Sequence, residues 1–184
     1  IWTDVGAIDT QSKIDEKLSQ WASWGIRGIK VDFMMNDSQT RMNTYQMIAS
    51  KAISLELLVN FHGSTKPSGE SRTYPNIITS EAIRGAEYYK WSEYPTAYHN
   101  CTVPFTRNVI GGMDYTPVVI STNNLNTTQA HQLALSVVFE SPMQHFADSI
   151  DSYDSWVGLT YLNSIPCKWD ETVLLDGFPG NYVT

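Results

Sequence analysis

Gly28-Ile29-Lys30-Val31-Asp32-Phe33 and Glu56-Leu57-Leu58-Val59-Asn60-Phe61-His62-Gly63 are the stretches whose reading decides the fold. Each is a short apolar run of strand length that ends in polar side chains. Between them the loop Met34-Met35-Asn36-Asp37-Ser38-Gln39 leads into a helical pattern, with Asp37 or Ser38 as its cap. That helix is expected to run to about Ser54, with Met42, Tyr45, Ala49 and Ala52 or Ile53 on one side. Ahead of the first run, Ile14, Leu18, Trp21 and Trp24 recur at helical spacing from Asp9 onward. Asp9 or Thr10 can cap that helix, and Gly25 suits the left-handed position after its end.

The pattern extends further. A loop rich in Gly, Pro and Ser, residues 63–76, leads to a third apolar run beginning Asn76-Ile77-Ile78-Thr79-Ser80-Glu81. Another helical pattern spans Thr127 to Phe139, through Ala130, Leu133, Ala134, Val137 and Val138. The tail from Cys167 has strand and turn character. Helix and strand alternating with short joints is the βαβ rhythm of a parallel sheet, so the fold class is α/β. In such sheets ligands bind beyond the C-terminal strand ends. Asp32, Asn60 with His62, and Glu81 each stand at or just past such an end. Doubly wound sheets and barrels share this rule, so the pattern predicts a ligand site without choosing between them.

Composition narrows the chemistry. The 184 residues are 42% hydrophobic and 17% charged, enough for one domain with a real core. A net charge of −7 without a basic stripe opposes nucleic-acid binding, and no apolar run reaches the roughly 20 residues of a membrane span. The chain opens on Ile1 without an initiator methionine, so a leader can have been lost with upstream sequence. Cys101 and Cys167 form no metal-spaced pair; two free thiols or one bridge both fit. Aromatic residues, 12% of the chain, are compatible with a sugar-binding cleft, although most belong in a core.

Taken singly, the rim residues have plain explanations. A strand-end aspartate such as Asp32 often caps the next helix or binds loop amides. Glu81 and Glu87, six apart around Gly85, can be a solvated turn face. Lys30 points to the face opposite Val31, and if buried it needs a partner. Taken together, two carboxylates from different strands are what glycoside hydrolysis requires. Several oxygen donors on one rim equally suit Ca²⁺. A serine hydrolase is the competing reading, but the sequence has no Gly-x-Ser-x-Gly elbow, no phosphate loop and no His-Glu-x-x-His motif.

Four blocks then carry a resemblance: GIKVDF (28–33), LLVNFHGSTKPSGESRTYPNIITSEAIRGAEYYKW (57–91), VPFTRNVIGGMDYTP (103–117) and AHQLALSVVFESPMQHFADS (130–149). Their order and spacing resemble glycoside hydrolase family 97, a family of bacterial α-glycosidases. The resemblance implies a (β/α)8 TIM barrel flanked by an N-terminal β-supersandwich and a smaller C-terminal β domain. Residues 1–184 would then be a partial barrel, the middle and C-terminal part of the catalytic domain, without either flanking domain. Such a fragment can be inactive on its own, and its open barrel edges can support self-association.

The resemblance also assigns roles. Glu87 matches the general acid/base and Glu81 a Ca²⁺ ligand; Glu87 is expected to touch the same ion, and at least one further ligand lies outside this chain. Inverting members carry a glutamate directly after the histidine of the strand end, where this chain has Gly63. Retaining members place an aspartate nucleophile at the end of the preceding strand, where this chain has Asp32. The implied activity is therefore hydrolysis with retention, of α-galactosides first and α-glucosides as the alternative, on an oligosaccharide substrate. A non-catalytic carbohydrate-binding barrel is the reading from another class. Lys30, His62 and Asp114 are the candidate substrate-hydroxyl contacts, and Trp2 and Asp4 stand at the end of an opening strand. The implied location is the bacterial periplasm or the exterior.

Overall fold

The computed structural model describes residues 1–184. The chain forms two compact units, Ile1–Ala82 and Ile83–Thr184.

The first unit runs β1 (Trp2–Asp4), a 3₁₀ turn (Val5–Ile8), α1 (Gln11–Ser23), β2 (Gly28–Asp32), α2 (Gln39–Ser54), β3 (Leu58–Phe61), α3 (Glu70–Thr73) and β4 (Ile77–Ser80). Its strands form one sheet in the order β1-β2-β3-β4, and every pair is parallel. Four strands in sequential order contain no reversal of strand order, the mark of a doubly wound sheet. They are the arrangement of a barrel segment.

Local chemistry sets the element ends. Thr10, not Asp9, caps α1, its hydroxyl accepting the Lys13 N–H at 3.4 Å. Ser38, not Asp37, caps α2 by accepting from Arg41 N at 3.3 Å. Gly25 takes φ +81° just past α1, where a side chain would be strained. Ile14, Leu18 and Trp21 bury one stripe of α1, while Trp24 stays 61% exposed. Alternation along β2 sends Ile29 and Val31 into the helical layer with Tyr45, Ile48 and Ala52 of α2. Val59 and Phe61 of β3 join them, and the Phe61 and Tyr45 rings meet edge-on at 4.6 Å. Each such fully buried aliphatic or aromatic side chain contributes about 1.5–3 kcal/mol.

The opposite face of the sheet carries the polar set. Register places Trp2, Lys30, Asn60 and Thr79 at one level, with Asp4 beside Asp32 at the next. Val59 pairs with Ile77 but Asn60 with Thr79, so Ile78 is an extra residue that bulges β4.

The second unit is built from short helices and irregular strands. It contains a 3₁₀ helix (Ala86–Lys90), α4 (Ala97–Thr102), two further 3₁₀ turns (Val103–Phe105, Arg107–Ile110), α5 (Gln129–Val138), α6 (Ile150–Asp154) and α7 (Leu159–Leu162). The tail forms the antiparallel pair β5 (Gly177–Phe178) and β6 (Tyr182–Val183). Its core gathers Ala86, Tyr89, Val103, Met113, Tyr115, Val119, Leu135 and Phe139. Extended backbone at Met113–Tyr115 hydrogen bonds to Ala86 on one side and Glu140 on the other.

Thr128 caps α5, its hydroxyl accepting the His131 N–H at 3.1 Å, but the helix does not bury the expected stripe. Gln132, Leu135 and Ser136 face the core, whereas Ala130 and Ala134 are exposed. Gln132 is drawn inward because it satisfies buried polar groups. Its Oε1 accepts the Val119 N–H at 3.2 Å, and its Nε2 donates to Thr127 Oγ1 at 2.8 Å. Cys101 and Cys167 are both free thiols. No helix is long and apolar enough to cross a membrane.

Candidate active site

Asp32 ends β2 on the polar face of the sheet. Its carboxylate is held from both sides. Phe33 N donates to Oδ1 at 2.7 Å, and the Trp2 indole N–H donates to Oδ2 at 3.1 Å. The loop-amide reading of this aspartate is thus half correct, and the helix-capping reading is not, since Ser38 caps α2.

The backbone after Asp32 is unusual. Phe33 and Met35 are left-handed at φ +60° and +67°, conformations that cost a non-glycine residue about 1–3 kcal/mol each. Two hydrogen bonds hold them there: Met34 N to His62 O at 3.3 Å and Met35 N to Gly63 O at 2.6 Å. The loop after β2 is therefore fastened to the loop after β3.

Gly63 sits at the centre of this junction. Its φ is +51°, and a Cβ there would lie 3.2 Å from both N and Cα of Phe33 and 3.4 Å from Asp32 Oδ1. A side chain at position 63 would be strained by the left-handed backbone and tight against Phe33, so glycine suits this geometry.

His62 and Glu81 form the next corner of the rim. His62 is 1% exposed, and its Nδ1 lies 3.5 Å from Glu81 Oε1. Glu81 Oε2 accepts the Gly63 N–H at 2.7 Å, so the glutamate buttresses the same glycine that adjoins Asp32. Its side chain is 15% exposed, far from a solvated turn face. As a donor set for a cation, this corner offers hard carboxylate oxygen, the kind Ca²⁺ takes, beside a histidine nitrogen, which Ca²⁺ does not favour. Lys30 and Asn60 lie at one register level of the same face, with Lys30 half-buried and Asn60 buried. Asp4 is engaged locally, where its Oδ1 accepts from Gly6 N at 2.6 Å and caps the turn after β1.

In the second unit, Glu87 is half-buried in the first turn of the Ala86–Lys90 helix. That helix is set by Gly85. A Cβ at Gly85 would lie 2.5 Å from the Tyr115 carbonyl oxygen, which also accepts the Ala86 N–H at 3.0 Å. Tyr115 cannot easily give way. Its ring packs on Phe139 at 4.6 Å, and its hydroxyl donates to Asn100 Oδ1 at 2.6 Å. Asp114 is 1% exposed and its Oδ2 lies 2.9 Å from His145 Nδ1. That histidine, 31 residues away, had no local sequence signal.

Asp32, His62, Glu81 and Lys30 thus share the first unit, while Glu87 and Asp114 belong to the second. The family model for Glycoside hydrolase 97 matches residues 1–83. A probable retaining alpha-galactosidase of Streptomyces bingchenggensis is 39% identical over 183 residues, covering 98% of this chain and 28% of that protein.

The match to glycoside hydrolase family 97 lies in the first 83 residues, and the relatives carry the similarity along the whole chain.

Further similarities point the same way. A retaining alpha-galactosidase of Bacteroides thetaiotaomicron is 34% identical over 198 residues, covering 100% of this chain and 30% of its own length. Among solved structures, a beta-arabinopyranosidase superposes with a TM-score of 0.87 at 30% identity, covering 99% of this chain and 33% of that one. A family 97 enzyme from Pseudoalteromonas sp. strain K8, in complex with acarbose, gives 0.90 at 25% identity, covering 99% and 32%. The chain spans less than a third of the curated relatives it matches. Its fold is α/β, a partial (β/α)8 barrel like the matching part of the solved family 97 enzymes.

Proposed function

We propose that this chain is the catalytic segment of a retaining α-glycosidase that hydrolyses terminal α-galactosidic bonds of oligosaccharides. The observation that carries the reading is the pairing of Asp32, its carboxylate held by two N–H donors, with Gly63, whose left-handed backbone strains any side chain. Two curated relatives are named a probable retaining alpha-galactosidase and a retaining alpha-galactosidase, which supports it.

In the first step a carboxylate oxygen of Asp32 attacks the anomeric carbon. The glycosidic C–O bond breaks, its electron pair goes to the leaving oxygen, and Glu87 supplies the proton. In the second step Glu87 takes a proton from water, the water oxygen attacks the same carbon, and the electron pair of the ester C–O bond returns to Asp32. Two inversions give net retention. Lys30, His62 and Asp114 are proposed as contacts to sugar hydroxyls; the pairing of Asp114 with His145 fits an oriented polar group rather than a solvated one.

Ca²⁺ belongs to the proposal, with Glu81 and Glu87 as ligands and at least one more from outside the chain. When bound, it would neutralise carboxylate charge and polarise sugar oxygens. Periplasmic or extracellular location, the flanking β domains and self-association of the fragment are likewise proposals from the family resemblance.

A second reading, α-glucosidase activity by the same residues, is favoured by the acarbose and panose complexes of the Pseudoalteromonas enzyme. Side-by-side assay of nitrophenyl α-galactoside and α-glucoside on the full-length protein separates the two. NMR of the first-formed sugar should show the α-anomer; a β-anomer would sink the double displacement. Asp32→Ala should abolish hydrolysis, and azide should restore turnover as a β-glycosyl azide. Calcium titration of the full-length protein should give binding that Glu81→Gln weakens.

A further inference from the structure

We propose that Trp2 is a positioning residue for Asp32, acting chiefly on the breakdown of the covalent intermediate; this rests on Asp32 being the nucleophile. Register in the parallel sheet sets Trp2 opposite Lys30, one level before Asp32. The indole therefore reaches forward along the strand direction to bring Nε1–H to Asp32 Oδ2 at 3.1 Å. The ring is itself braced, meeting Phe33 edge-on at 6.2 Å with an interplanar angle of 88°. Phe33 in turn donates its backbone N–H to the other oxygen, Oδ1, at 2.7 Å. One aromatic pair thus supplies a donor to each oxygen and fixes the rotation of the carboxylate.

The chemistry of the two donors gives the asymmetry. An indole N–H donates only and cannot take a proton, so it has no part in acid–base exchange. Its bond is strongest when the acceptor carries full charge. In the first step Asp32 passes from carboxylate to ester and that charge is spent. In the second step the ester C–O bond breaks and the electron pair returns to the carboxylate, so the donor assists the departing group. Removing it should slow the second step more than the first.

The test uses Trp2→Phe in the full-length protein, which keeps the edge-on ring but loses the N–H. With a dinitrophenyl α-galactoside, kcat should fall about tenfold and KM should fall with it, leaving kcat/KM within about threefold of wild type. A burst of dinitrophenol should precede the slow steady state, and intact mass should show the glycosyl-enzyme accumulating. Replacing Trp2 by benzothienylalanine, which swaps the N–H for sulfur at nearly constant shape, should reproduce the same pattern should the phenylalanine variant fold poorly. Wild-type kinetics, or a loss confined to kcat/KM without a burst, would overturn the role of Trp2. Asp32→Ala run in parallel separates the two ideas: azide-rescued inactivity there alongside wild-type kinetics in Trp2→Phe sinks this role alone, whereas an active Asp32→Ala sinks the nucleophile and this inference together.

Discussion

Replacing Gly85 by alanine probes how the second unit sets Glu87. The glycine has ordinary extended backbone, φ −88° and ψ −176°, so conformational strain is not at issue. Space is. The new Cβ would fall 2.5 Å from Tyr115 O, and relief requires the two segments to part by roughly 1 Å. That separation also breaks the Ala86 N–H to Tyr115 O bond, now 3.0 Å long. Overpacking costs about 1–3 kcal/mol and the lost hydrogen bond about 1 kcal/mol, so Gly85→Ala should destabilise by about 2–4 kcal/mol. Because the 3₁₀ helix beginning at Ala86 carries Glu87, a displacement of that size should also lower kcat/KM on the order of a hundredfold. Urea unfolding of the full-length protein measures the first effect and steady-state hydrolysis the second. Gly25→Ala is the control: φ is +81° with open space around it, so it should cost about 1 kcal/mol and leave activity intact. Wild-type stability and activity in Gly85→Ala would refute the reasoning.

Three other outcomes are expected. Gly63→Glu should lose about 1–3 kcal/mol to the left-handed backbone and the contact with Phe33, and product NMR should show no inverting activity gained. For Asp148, burial pushes the carboxyl pKa upward, but the Ser121 hydroxyl and the N–H groups of Ile120, Ser121 and Ser149 outweigh it and lower the value. Its contribution to stability is present above the unfolded value of about 4 and is lost as pH falls through the folded value, so Asp148→Asn should flatten the acid side of a urea-midpoint profile. Burial pushes the Tyr153 hydroxyl up to about 12. Its contribution is complete below the unfolded value of about 10 and disappears as pH rises towards the folded one. Tyr153→Phe should remove its share of the alkaline loss, while the missing bond to Val118 O, 2.6 Å in the wild type, costs about 1 kcal/mol at neutral pH.

Much of the first unit was legible because its helices and strands have clean periods. Ile14, Leu18 and Trp21 mark α1, Ile29 and Val31 mark β2, and Thr10 and Ser38 cap the two long helices. The second unit was less legible for identifiable reasons. Thr116 and Val118 adopt φ +54° and +69°, which break any ladder beyond Tyr115, and hydrophobic periodicity cannot announce a left-handed residue. The apolar stripe of α5 misleads because Ala130 and Ala134 stay exposed while Gln132, a polar side chain, is spent inside on backbone and hydroxyl groups. The strand-end rule put Asp32, His62 and Glu81 on one rim, where the structure has them, and it named Trp2 at the end of an opening strand without pairing it with Asp32. It gave no pointer to His145, the partner of Asp114 from 31 residues away.

The tight fit between position 63 and the end of β2 has an evolutionary corollary. A descendant that traded one stereochemical course for the other would add its new carboxylate on a left-handed backbone and against Phe33, so each early step along that route costs stability before it gains chemistry.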